Sequence, residues 1–358
     1  MGLLSANGYG LLRGISQGLF PSLRVRKFTT LRKMFNFLGF AFVVILLSGN
    51  SKGQDGSESP PSLMKAHSKM YPSPWDEWWG YGGRAAPEYW GDTYPDHWYM
   101  CSRGKQQSPI NIEPDLLLYD GNLGHLIVNS PPVEGILQNT GNDITLTFKN
   151  DIRNQINVTG GPLSYVFRIT DVKFHFGRKQ RASEHQISNK SFTAEMHIMG
   201  YNSEVYSTID EAMNGVRGLV AIAVFIEIGL ESNYPLELIT KRLKNIPIKG
   251  NKINIIGFTL NDLIPNTTEY MTYEGSLTIP GCQESVTWII YNKPVYLSTD
   301  QMKLFQTIPQ MRWIHTNSRS VMPLNQRVIR TNINVKQKTD ICTIEQHFNY
   351  KVNEMFTS

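Results

Sequence analysis

The chain reads as a mainly β domain of the α+β class with a few short helices, and three observations predict it. Of its 358 residues 41% are hydrophobic and 18% charged, the balance of a chain able to build a sizeable core. Aromatics make up 11%, with seven Trp and sixteen each of Tyr and Phe, which suits packed strands and excludes low-complexity sequence or a coiled coil. Short apolar or alternating runs recur between turn signals, whereas helical periodicity is confined to short pieces and no long internal repeat is visible.

In chain order, residues 1–51 read as a leader and signal peptide. Basic residues between Arg24 and Lys33 precede the apolar run Phe35 to Leu47, and small polar residues follow from Ser48. That run is shorter than the roughly 20 apolar residues of a membrane span. Residues 52–74, rich in Ser, Pro, Gly and Lys, read as a linker. From Trp75 the aromatic words WDEWWGYGG and EYWGDTYPDHWYM predict an irregular cluster packed on the body. Strands are predicted at 144–148, 171–176, 193–199, 218–229, 253–258 and 285–297, and helices around 207–215, 235–244 and 298–306. One domain, 75–335, holds them all. The tail, 336–358, is polar throughout and offers no lipid or membrane anchor.

Charge narrows the partners. Arg13, Arg24, Arg26, Lys27, Arg32 and Lys33 precede any acid, so removing the leader takes the formal charge from +5 to −1. No basic footprint remains for nucleic acid. The expected product is secreted and extracellular, and three Asn-x-Ser/Thr triplets, at Asn157, Asn189 and Asn266, are candidate glycosylation sites in that compartment. Three cysteines, Cys101, Cys282 and Cys342, allow three pairings and leave one thiol over.

Lys173 and His175 are two apart on a predicted strand and so share a face, and His197 lies 22 residues on in the next predicted strand, close enough in sequence to lie alongside. Three neutral donors there would suit tetrahedral zinc with one open position. By itself a pair of histidines on neighbouring strands reads more often as satisfied polar side chains than as ligands.

The surrounding words resemble the α-class carbonic anhydrases over residues 75–335. They run WWGYGG, PEYW, QSPINI (Gln107 to Ile112), NTGNDITLTF, FHFG, SEH, AEMH, GLV, GSLTIPG, VTWII and PLNQR, in order. The resemblance implies a single domain with a large, twisted, mostly antiparallel central sheet and short peripheral helices. It places the family's three zinc histidines on Lys173, His175 and His197, its second-shell acid on Glu195, its threonine and glutamate gate on Thr278 and Glu184, and its proton-shuttle histidine on Asn142. Lysine breaks the metal site. Deprotonating it costs about 4 to 5 kcal/mol at pH 7, and left charged it repels a dication by roughly 8 kcal/mol at about 4 Å. Its ammonium is expected in the metal's place, near Glu195.

The pattern of losses resembles the catalytically silent branch, the secreted carbonic anhydrase-related proteins X and XI, with VKFHFG, TAEMHIMGYN and IRTNIN as the shared words. That likeness implies no cofactor, no working catalytic residue and a binding role at the cell surface towards neurexin-type synaptic receptors. It also implies a Cys101–Cys282 bridge, which leaves Cys342 as a reachable thiol for a covalent link to a partner. The alternatives are a weak zinc-dependent carbonate dehydratase and an extracellular scaffold.

Overall fold

A computed structural model describes residues 78–149, 155–178, 181–308 and 315–334. The predicted leader, linker and tail, and with them Cys342, lie outside the described residues. The chain enters through 3-10 turns and three helical turns, α1 (Trp90–Thr93), α2 (Pro95–Trp98) and α3 (Met100–Arg103). Strands then follow as β1 (Asn111–Ile112), β2 (Leu118–Tyr119), β3 (Leu126–Asn129), β4 (Val133–Asn139), β5 (Ile144–Phe148), β6 (Asn157–Gly160) and β7 (Leu163–Phe176). Next come β8 (Gln186–Ile187), β9 (Lys190–Ser191), β10 (Ala194–Asn202), α4 (Ile209–Met213), β11 (Leu219–Gly229), α5 (Tyr234–Thr240) and β12 (Lys252–Phe258). The described part closes with β13 (Tyr270–Gly275), β14 (Val286–Tyr291), β15 (Val295–Ser298), α6 (Thr299–Gln306) and β16 (Arg330–Thr331).

The mainly β class and the large sheet are as expected. Thirteen strands form one sheet ordered β12-β4-β5-β7-β10-β11-β14-β13-β16-β2, with β15 beside β11, β6 beside β7 and β3 beside β6. Its pairings are antiparallel except β11 with β14, β11 with β15 and β16 with β2. A second sheet joins β1, β8 and β9. Strand β11 shows why the sheet sits inside. Its alternate residues Val220, Ile222, Val224 and Ile226 join the core on one face, and Leu219, Ala221, Ala223 and Phe225 join the core on the other. A strand buried on both faces reads as a continuous apolar run, which is how LVAIAVFI appears in the sequence.

Local chemistry explains the ends of the elements. Ser298 accepts from Gln301 N, and the Gln301 side chain returns the bond to complete a capping box on α6. Thr208 and Asn233 cap α4 and α5 by accepting from the backbone of Glu211 and Leu236. The run 285–297, read as one strand, divides into β14 and β15 because Pro294, which has no N–H to give a ladder, sits between them. Strand β7 is much longer than the six residues predicted, and β4 and β13 were not foreseen; β4 carries Gly135 in its middle and lacks a clean alternation to announce it.

The aromatic stretch is more regular than the expected irregular cluster, since α1 to α3 lie within it, but its packing role is as read. Trp90 is fully buried, stands edge-on to Trp79 at 5.6 Å and to Tyr81 at 5.8 Å, and donates Nε1–H to Ala85 O at 2.9 Å. Cys101 and Cys282 join this cluster and are bridged, as the resemblance implied. The bridge closes a separation of 181 residues. Loop-closure entropy for that length is worth about 5 kcal/mol, so Cys101→Ser with Cys282→Ser is expected to lower the denaturant midpoint by the equivalent of several kcal/mol. Non-reducing peptide mapping of the unaltered chain should return the Cys101–Cys282 pair.

Candidate functional site

The site stands on two neighbouring strands. In the antiparallel pairing of β7 with β10, His197 lies opposite Lys173 and Glu195 opposite His175. All four therefore project from one face, since side chains two apart along a strand share a side. On the far side of β10, Ala223 of β11 faces His197, and its small side chain leaves room for the ring, which packs against Trp288 at 4.8 Å. The expected convergence of Lys173, His175 and His197 is thus present, with the two imidazole centroids 4.3 Å apart.

Each histidine is held in one orientation. His175 Nδ1 meets the main-chain oxygen of Asn317 at 2.9 Å; a carbonyl only accepts, so the proton is on Nδ1 and the lone pair on Nε2. That Nε2 is buried and makes no hydrogen bond. Asn317 is itself clamped to β7, its Nδ2 donating to Phe174 O at 2.8 Å and its Oδ1 accepting from Phe176 N at 2.7 Å. His197 Nε2 bonds Glu195 Oε1 at 2.7 Å, which turns Nδ1 towards Glu184 Oε2, 3.8 Å away. Glu195 Oε1 also meets His185 Nδ1 at 2.7 Å, and its Oε2 accepts from His185 N at 2.8 Å. His185 Nε2 continues the chain to the Tyr273 hydroxyl at 2.7 Å, which donates to Ser108 Oγ at 2.8 Å.

Lys173 corrects the expectation that its ammonium would lie near Glu195. Its Nζ is 3.4 Å from Asp171 Oδ1, two residues back on the same face of β7, and Glu195 is engaged by His185 and His197 instead. Thr145 of β5 lies opposite Lys173, so Asp143, two before Thr145, shares that face. Burial pushes the lysine pKa down, but Asp171 and Asp143 outweigh it and hold the ammonium above its usual value. Asp143 is itself buried, kept ionised below the ordinary range by Lys173 and by hydroxyl donors from Thr145 at 2.6 Å and Thr140 at 2.7 Å.

The gate expected between Thr278 and Glu184 is not closed either. Glu184 Oε1 accepts from Arg319 N at 2.8 Å, its Oε2 makes no hydrogen bond, and among the described residues no hydrogen bond joins it to Thr278, which is buried in the turn after β13. Asn142, given the shuttle position by the resemblance, is buried at the turn leading into β5, and its amide neither takes up nor releases a proton near neutral pH. Beneath Glu184 the buried guanidinium of Arg319 donates to Gln107 Oε1 and Ser108 O, both at 2.9 Å, over the Trp90 ring. Burial lowers its pKa to about 10, so it stays charged at neutral pH.

Sequence reading missed His185, Asp143, Asp171, Tyr273, Asn317 and Arg319. Asp171 alone was signalled, being two residues from Lys173 on a predicted strand. The others reach the site through long-range packing.

The eukaryotic-type carbonic anhydrase family matches residues 85–333. The chain belongs to that family. It is 38% identical over 265 residues to a carbonic anhydrase-like protein of Caenorhabditis elegans, covering 70% of this chain and 78% of the relative. It is 34% identical over 262 residues to human carbonic anhydrase 7, covering 71% and 97%, and 35% identical over 232 residues to carbonic anhydrase 1 of Monodelphis domestica, covering 64% and 86%.

The family's zinc meets a donor set that does not fit it here. His175 Nε2 and His197 Nδ1 present lone pairs of the right kind, but the third position carries an ammonium ion-paired to Asp171, which has no lone pair to give. His175, Glu184 and His197 do lie close enough together to offer two nitrogens and a carboxylate.

The network predicts its own acid sensitivity. Burial disfavours the Glu195 charge, but His185 and His197 on the same carboxylate outweigh that and pull its pKa far below the ordinary range. His197 is held below the ordinary imidazole value by burial and by the neighbouring His175. In both cases the unfolded chain binds more protons, so stability is full above about pH 6.5 and declines as pH falls below it, and further below about 4.5. Glu195→Gln is expected to cost about 3 kcal/mol, because one amide oxygen replaces a carboxylate that serves two rings, and to flatten the acid limb of Tm against pH.

Proposed function

We propose that this chain is a secreted, catalytically silent carbonic anhydrase-related protein that serves as an extracellular binding module for a cell-surface receptor. One observation carries the loss of catalysis. At the register position facing His197 stands Lys173, whose ammonium is ion-paired with Asp171, so the set of three neutral nitrogens required for a zinc-bound nucleophile is incomplete. Asn142 in the shuttle position removes the proton path as well. The signal-like leader, the three glycosylation triplets and the Cys101–Cys282 bridge support an extracellular life. Likeness in sequence to the carbonic anhydrase-related proteins X and XI supports a receptor of the neurexin type, and Cys342 is the thiol through which a covalent link would form.

A zinc-dependent carbonate dehydratase of low activity is the second reading. It draws on the unpartnered His175 Nε2 and Glu184 Oε2, two buried atoms that a cation would satisfy. Metal analysis decides between them. Protein purified without chelator is expected to hold far less than one zinc per chain and to show no carbon dioxide hydration sensitive to zinc-site inhibitors. A ratio near one with inhibitable turnover would establish the second reading. Lys173→His is expected to raise zinc binding clearly, with activity returning only in part because Asn142 remains.

The tail thiol has its own test. On non-reducing gels of the secreted protein co-expressed with candidate receptors, a band of added mass should be present in the unaltered chain and absent in Cys342→Ser. Identical bands in every combination would remove the covalent role and move the binding surface onto the folded domain.

A further inference from the structure

The three glycosylation triplets differ sharply in their surroundings. Asn157 is half-buried in β6, a strand paired on both sides with β3 and β7. Asn189 sits at φ 61° with its Nδ2 already donating to Glu113 Oε1 at 3.1 Å. Asn266 is exposed, in a tight turn where Thr267 N donates to Pro265 O at 2.8 Å and Thr267 Oγ1 donates to Asn292 Oδ1 at 2.8 Å. Among the described residues no hydrogen bond engages its side-chain amide.

Asn266 also forms part of the wall of a groove of about 390 Å³, whose other walls include Leu126, Val128, Asn261, Ile264 and Tyr291. The three aliphatic side chains pack on the main core yet remain partly open. Tyr291 is only 3% exposed as a residue, and among the described residues nothing bonds its hydroxyl, which is not sealed off and so is open to a partner in the groove. Burial lifts its pKa to about 12, so the group is a phenol that can donate. A mostly polar lining that includes the Tyr291 hydroxyl and the Asn261 amide, with a smaller aliphatic patch, makes a surface suited to an N-acetylhexosamine, whose edge is a row of hydroxyls and whose ring face and acetyl methyl are apolar.

We propose that Asn266 carries an N-linked glycan whose first N-acetylglucosamine units seat in this groove, so that the saccharide is a packed part of the fold. The inference rests on the exported reading given above. In the transfer, Asn266 Nδ2 loses one hydrogen and bonds the anomeric carbon of the oligosaccharide. The leaving group is the diphosphate of a lipid-linked oligosaccharide donor, which takes the proton.

The full chain is expressed in animal cells behind its own leader and, in parallel, behind a heterologous secretory leader. Retention with the first leader alone overturns the export reading, while the second still delivers the chain to the glycosylation machinery. Glycopeptide mass spectrometry is expected to find Asn266 occupied. Thr268→Ala abolishes the triplet without touching a groove wall and is expected to lower Tm by about 3 °C, whereas Thr268→Ser, which keeps the triplet, should melt like the unaltered chain. Tyr291→Phe should shrink the difference between glycosylated and Thr268→Ala protein. An empty Asn266 behind the heterologous leader, or equal melting of the Ala and Ser variants with Asn266 occupied in the latter, overturns the proposal.

Discussion

Direct pairing of His197 with Lys173 across β7 and β10, with Glu195 opposite His175, is the constraint from which the pocket follows. Strand periodicity then puts all four on one face, with Val172, Phe174, Met196 and Ile198 of the same two strands buried in the core on the other. A slip of one residue would carry either Lys173 and His175 of β7 or Glu195 and His197 of β10 into that core and expose the slipped strand's apolar side chains, so the register is strongly enforced. Long neighbours reinforce it. Strand β11 holds β10 through eight successive pairings, and β5 holds the opposite edge of β7.

Charge compensation within this frame accounts for the chemistry the pocket retains. Glu195 gathers two imidazoles and a main-chain N–H, so its buried charge is well satisfied without a metal. Lys173 is satisfied in a separate group with Asp171 and Asp143, on the side of the site towards β5. Each buried charge has an opposite charge or polar donors beside it, the condition under which burial is tolerable. The atoms left over, His175 Nε2 and Glu184 Oε2, mark where the family's metal chemistry would be centred. A fold of this family therefore persists around a pocket whose third donor position is held by a cation, in a body tied by the Cys101–Cys282 bridge.

Much of the architecture was legible along the chain because it rests on local rules. The run at 218–229 announced a strand, the pattern around 298–306 announced a helix, and the two-residue spacing of Lys173 and His175 announced a shared face. The family words located Glu184, Glu195 and Thr278 in the chain but not their contacts. Thr278 and Glu184 were expected to pair, and the acid instead accepts from Arg319 N, a residue 135 positions away. Lys173 was expected beside Glu195, and nearer carboxylates on its own and the adjoining strand hold it.

Sequence alone established a mainly β domain and, through its resemblance to the carbonic anhydrases, that a lysine stands at one metal-donor position and an amide at the shuttle position. Those properties belong to the period of a strand and to the order of the family's motifs along the chain. Which carboxylate takes the lysine, how Asn317 and Glu195 set the two imidazoles, and that Tyr291 is left with an unpaired hydroxyl beside Asn266 were decided only by tertiary structure. The reason is physical: an ion pair or a hydrogen bond is set by distances of a few ångströms between segments far apart in the chain, and sheet pairing, which no local pattern encodes, brings those segments together.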